Sequence, residues 1–233
     1  MITEPTAPDA LLALRVWLPD RPGALGAVAS RIGAVGGDLV GIEIVDRGAG
    51  RVVDELSVVL SDPGLLDLLV DEIHAVEGTD VEDARWVGDQ GRDPLISALR
   101  IATRFARAGD GAELTSELLE GALTLLRGDW VMLVDTATDE VLGACASAGS
   151  DVPTGSWAFS FLRGMAHSGA VPDAPESPDD MAFSPLGSSP LVLLLSRQRV
   201  PLRSRERSVL HELCSLAALQ GNPPAPCSGS HPG

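Results

Sequence analysis

The residues best suited to chemistry lie in one stretch, Leu18-Pro19-Asp20-Arg21-Pro22-Gly23-Ala24-Leu25-Gly26, between an apolar run and an amphipathic pattern. Pro22 suits a first helical position, so the stretch reads as a strand-to-helix turn. A helix start leaves several backbone N–H groups without intrahelical acceptors and carries the positive end of the helix dipole. Gly23 and Gly26 have no Cβ to block approach, so such a turn can hold a small carboxylate without help from Lys or Arg. A free amino acid also needs an acceptor for its ammonium group, and Asp20 and Asp38 are the acidic candidates. The same residues also read as a tight turn in which Asp20 or Arg21 merely caps the helix, and caps of this kind are common.

Other chemistry finds no support in the spacing of residues. His74, His167, His211 and His231 are scattered, and none has a partner at metal-ligand spacing. No nucleophile-elbow, phosphate-loop or dinucleotide fingerprint occurs. Asp54-Glu55 would point to opposite faces of a strand, and Asp179-Asp180 falls in a loop, so neither makes an acid–base dyad. Arg197, Arg199, Arg203, Arg205 and Arg207 form the one basic cluster. It could contact an acidic partner or a phosphate, but it reads better as a solvated helix entrance. A non-catalytic protein with no cofactor and no metal is expected.

The formal net charge of −16, with every one of the 17 basic residues an Arg, disfavours nucleic acid as a partner. Cys145, Cys214 and Cys227 form no paired framework, which suits reduced thiols in a reducing compartment. The first residues lack the charge and apolar core of a signal peptide, and the longest apolar runs are too short to span a bilayer. A soluble cytoplasmic protein with no membrane association is the expectation.

The elements that must position the turn follow from periodicity. Leu11 to Leu18 alternates as a half-buried strand, and Leu25, Val28, Ala29 and Ile32 give the helix after it. Gly36-Gly37 ends that helix. Strands are expected at 39–46, 51–60 and 79–87, with a helix opened by Asp62-Pro63 and stopped by Gly78. The order β-α-β-β-α-β is the ferredoxin-like plan, two helices on one face of a four-stranded antiparallel sheet.

Asp20-Arg21-Pro22-Gly23-Ala24-Leu25, followed by Gly36-Gly37-Asp38-Leu39-Val40-Gly41-Ile42-Glu43-Ile44, strongly resembles an ACT domain. The likeness extends to the ACT modules attached to some bacterial NAD-dependent malic enzymes, where a run like Gly50-Arg51-Val52-Val53 also follows. The resemblance covers the segment from 10 to 88. It implies that two copies pair as a homodimer and that an amino acid or similar small carboxylate binds at the interface. Asp20, Arg21, Pro22, Gly23, Ala24 and Leu25 would line one side, and Asp38, Leu39 and Val40 of the second copy the other. Many members carry Asn where this chain has Asp38; Asp accepts from an ammonium group but cannot donate to a carboxylate.

After a short linker at 88–92, the second half reads as two helices (Leu95 to Phe105 and Leu114 to Leu125), a strand pair at 130–134 and 141–146, and a helix at 156–167 whose Trp157, Phe161 and Met165 read as core rather than ligand contacts. An acidic, Pro-containing loop at 171–180 is followed by strands at 181–186 and 191–197 and a final helix capped by Ser204. The segment Leu191 to Arg207 with Leu210 to Leu219 resembles the last strand and helix of a GAF domain, and Trp130 to Gly143 its first hairpin. The resemblance implies a GAF-like α/β sensor domain over 93–220, with a flexible tail at 221–233. The class expected is α+β, and the function that of a regulatory protein sensing an amino acid through its ACT-like half, the GAF-like half adding a sensing or dimerising surface. The alternatives are a ligand-free assembly module that pairs with another protein, and a detached regulatory subunit of a metabolic enzyme.

Overall fold

The computed structural model describes residues 10–87, 94–168, 180–221 and 223–227. The linker expected at 88–92, most of the loop expected at 171–180 and the end of the tail lie outside the described residues. The chain divides into two compact units, Met1–Asp93 and Pro94–Gly233. It is a mixed α and β protein with two four-stranded antiparallel sheets. Among the described residues no helix is long and apolar enough to cross a membrane.

The first unit runs β1 (Ala10–Pro19), α1 (Ala24–Ala34), β2 (Gly37–Gly48), β3 (Arg51–Leu60), α2 (Leu66–His74) and β4 (Asp80–Val87), with a single 3-10 turn at Pro63–Leu65 before α2. The strands lie in the order β2-β3-β1-β4, so β2 and β4 are the edges. Alternation decides which face is buried. Leu12, Leu14, Val16 and Leu18 of β1, and Val52, Leu56, Val58 and Leu60 of β3, form one core with Val28 and Ile32 of α1 and Leu69 and Ile73 of α2. Each such side chain contributes roughly 1.5–3 kcal/mol by leaving water. Gly36, at φ 83, turns the chain out of α1. Gly37 then starts β2 where a Cβ would come within 2.9 Å of Ile32 Cγ2.

The second unit comprises α3 (Pro94–Arg107), α4 (Gly111–Leu126), β5 (Trp130–Asp135), β6 (Glu140–Ala146), α5 (Gly155–Ser168), β7 (Met181–Pro185), β8 (Leu191–Ser196) and α6 (Ser204–Ala218). Its sheet order is β6-β5-β8-β7. The pleat of β5 separates two cores. Val131 and Leu133 pack with Leu114 and Leu118 of α4 and Leu210 and Cys214 of α6. Trp130, Met132 and Val134 pack with Ala158 and Phe159 of α5.

Three expectations need correction here. Arg203, not Ser204, is the N-cap of α6, with Glu206 accepting from the Arg203 N–H at 2.9 Å. Trp157 is not a core residue: it is 41% exposed and stacks on Phe161. Residues 223–227 of the tail are strapped down, since the Ala225 N–H donates to Gly111 O at 3.1 Å, the Cys227 N–H to Leu142 O at 2.8 Å, and Thr115 Oγ1 to Ala225 O at 2.8 Å.

Candidate functional site

The turn between β1 and α1 is built by backbone commitments on both sides. The Asp20 N–H donates to Gly50 O at 2.9 Å, prolonging the β1–β3 ladder by one residue, and the Arg21 N–H donates to Pro19 O at 2.8 Å. The chain then needs a left-handed residue to enter the helix, and Gly23 supplies it at φ 88. Gly23 is the N-cap, with no side chain capping the helix. The expected cap by Asp20 or Arg21 is therefore not made. Asp20 is held too far back by its ladder bond, and its carboxylate pairs instead with Arg47, Nε to Oδ2 at 3.7 Å. Pro22 lies ahead of the helix rather than at its first position.

The first turn is left with donors to offer. The Ala24 N–H reaches Arg21 O at 3.3 Å and the Ala27 N–H reaches Gly23 O at 3.0 Å, while the N–H groups of Leu25 and Gly26 meet no acceptor among the described residues. A Cβ at either Gly23 or Gly26 would meet nothing within 4 Å, so the space beside these amides is open. Asp20 to Gly23 are exposed, Ala24 is buried and Leu25 is half-buried.

Asp38, Leu39 and Val40 are not brought to this turn within the chain. Asp38 and Leu39 pair with Val59 and Val58, whereas the turn adjoins the Gly50–Arg51 end of β3. The separation from Arg51 to Val58 is about 24 Å at ~3.4 Å per residue. Asp38 and Val40 are exposed on the edge strand, and Leu39 packs into the core.

Two other residues reach the turn. Arg47, just past the strand expected at 39–46, belongs to β2 and pairs with Val52. Asp54 pairs with Val16 on one side and Ile44 on the other, which sets it on the helix-covered face of the sheet. α1 begins at Ala24, five residues past the end of β1 at Pro19, so its first turn lies at the end of the sheet that carries the Leu18–Val52 pair and, two residues further in, Val16 and Asp54. Asp54 is 4% exposed, and its Oδ1 has no hydrogen-bond partner among the described residues. Burial pushes its carboxyl above the usual 3.8, with Arg47 pulling it down and Asp20 pushing it up. The signal in the sequence was its place: Asp54 interrupts the alternating run Val52, Leu56, Val58, Leu60. Glu55 takes the opposite face, as adjacent strand residues must, where its two oxygens bind Arg15 at 3.0 Å and Arg85 at 2.7 Å. Arg85 in turn binds Asp83 at 2.6 Å, so charges alternate and cancel there.

In the second unit the basic cluster divides. Arg197 is buried, and its guanidinium donates to Val200 O at 2.8 Å, Leu126 O at 3.0 Å and Pro201 O at 2.7 Å while pairing with Glu206 at 2.7 Å. It ties the end of β8 to the end of α4 and the entrance of α6, correcting its reading as a solvated residue. A shallow groove between the β7–β8 turn and the end of α6 is lined by Leu186, Leu191, Leu219 and Pro223 and, among the described residues, by no ionisable group. Among the described residues no cluster of His, Cys, Asp and Glu could hold a metal ion.

No protein-family profile matches the chain, and no curated protein does. Among solved structures it is similar to the C-terminal domain of the MgtC protein from Mycobacterium tuberculosis, at 18% identity over 36% of this chain and 92% of that one, with a TM-score of 0.28. It is also similar to the bacteriophytochrome RpBphP3 from the photosynthetic bacterium R. palustris, at 16% identity and a TM-score of 0.40, spanning 76% of this chain and 46% of that one. Likenesses of this depth establish no shared function.

Proposed function

We propose that the chain is a non-catalytic regulatory protein whose first unit is an ACT-type domain that senses an amino acid or similar small carboxylate. The observation that carries this is the first turn of α1. It has a glycine N-cap and, among the described residues, no capping side chain, unpartnered N–H groups at Leu25 and Gly26 and open space beside them. A carboxylate there would meet oriented donors and the positive end of the helix. In this reading two copies pair, so that Asp38, Leu39 and Val40 of one copy come beside the turn of the other. The second unit is read as GAF-like and adds a sensing or dimerising surface. Ligand bound between copies shifts the dimer between arrangements by its differential affinity for them.

The test is calorimetric titration of the full chain with each of the twenty amino acids, beside its mass in solution by light scattering. Saturable heat from at least one amino acid and a dimeric mass are expected. A dimer that gives no heat with any of them removes the sensing reading. It would leave the second one, a ligand-free assembly module, which a separate observation favours: Val40, Ile42 and Ile44 on edge strand β2 are 53%, 49% and 46% exposed.

A further inference from the structure

Asp54 occupies a position shaped for an aliphatic side chain. Its neighbours two residues away on the same face of β3, Val52 and Leu56, are buried, and so is Val16 opposite on β1. A carboxylate oxygen held there without a partner is strongly unfavourable. Among the described residues the charged groups beside it are Arg47 from β2 and Asp20 from the turn. These two pair with each other at 3.7 Å while 59% and 42% exposed, the kind of bridge that holds weakly and opens easily. Asp54 lies toward the sheet end at which β1 leaves for α1, and the Leu25 and Gly26 amides follow directly from that end, past Asp20. A donor pole and an acceptor pole thus share one end of one sheet face.

We infer that Asp54 is the ammonium acceptor of the site at the first turn of α1, which makes amino-bearing carboxylates its ligand class. The inference rests on the sensing reading of that turn and adds the residue that selects among carboxylates. A bound amino acid places its carboxylate at the Leu25 and Gly26 N–H groups and its ammonium at Asp54. Arg47 leaves Asp20 as the ligand enters. A carboxylate without the amino group leaves Asp54 buried and unpaired, so it is rejected.

The experiment titrates the full chain with each L-amino acid that gives heat and with the matching des-amino carboxylic acid, which carries hydrogen in place of the amino group, using wild type, Asp54→Asn and Asp54→Ser. Wild type is expected to favour the amino acid. Either variant is expected to weaken it on the order of tenfold to a hundredfold, the range for a hydrogen bond to a charged group. The des-amino acid should change by less than about threefold, because it offers residue 54 no hydrogen-bond donor. Two variants guard against one failing to fold, which circular dichroism reads directly. Unchanged amino-acid affinity in a folded variant, or a wild type that binds both acids alike, overturns the role of Asp54 and spares the sensing reading. A wild type that binds no amino acid overturns both.

Discussion

Replacing Asp54 by Asn removes a charge while keeping the side chain's shape, and the effect on folding can be worked from its surroundings. Arg47 and Asp20, its charged neighbours, are both substantially exposed and act in opposite directions, and burial outweighs either of them. Desolvation is left as the governing effect. An unsatisfied buried polar group costs about 1–3 kcal/mol, more when charged, and an Asn amide in the same place forfeits part of the relief. A net gain of about 1 kcal/mol at pH 7 is expected, equivalent to about 4–8 °C in midpoint for a unit of this size. The sign with pH follows from linkage. The folded carboxyl titrates above its usual 3.8, so wild-type stability is complete below that value and is lost as pH rises through the folded value. Asn has no such loss. Urea denaturation of both proteins at pH 7 and near pH 3, following the first unit, should therefore show the variant ahead at pH 7 and level in acid. An advantage that does not change with pH, or a variant less stable at pH 7, would refute the reasoning.

Other outcomes follow from single contacts. Gly23→Ala places a Cβ at φ 88 and should destabilise the first unit by about 1 kcal/mol in urea midpoint analysis, without steric conflict, since nothing lies within 4 Å. Arg197→Met strips three carbonyls of a donor and takes the guanidinium from Glu206, which is 12% exposed, so denaturation of the second unit should show a loss of about 3 kcal/mol. Burial pushes the Cys214 thiol up to about 12 and the Cys145 thiol up to about 11, so both stay un-ionised at pH 8. Alkylation of Cys214 by iodoacetamide should accordingly be negligible in the native protein and rapid in urea, with mass spectrometry reading the difference.

Much of the first unit was legible because its pattern is local. β3 spans the Arg51 to Leu60 expected, since Val-rich alternation closed by Ser61-Asp62-Pro63 leaves little freedom. The helix cap was not legible. Asp20 has the right type for a cap, but the ladder bond from its N–H to Gly50 comes from a strand closed thirty residues later in sequence order and appears only once β1 and β3 are aligned. Asp54 shows the same division. Its break in the alternation of β3 was visible, while its company with Arg47 depended on β2 reaching Gly48 and on irregularities in the β2–β3 register. Arg197 had no local signature at all among its neighbouring arginines. Its burial comes from carbonyls that converge from the end of α4 and the entrance of α6.

The central claim is that the first turn of α1 holds a carboxylate. It is tested most directly by the amide nuclear magnetic resonances of the full chain, before and after adding a pool of the twenty L-amino acids at millimolar concentration. The expected result is a saturable shift of the Leu25 and Gly26 amides, larger than any shift on α2. Unmoved Leu25 and Gly26 resonances under saturating amino acids would contradict it.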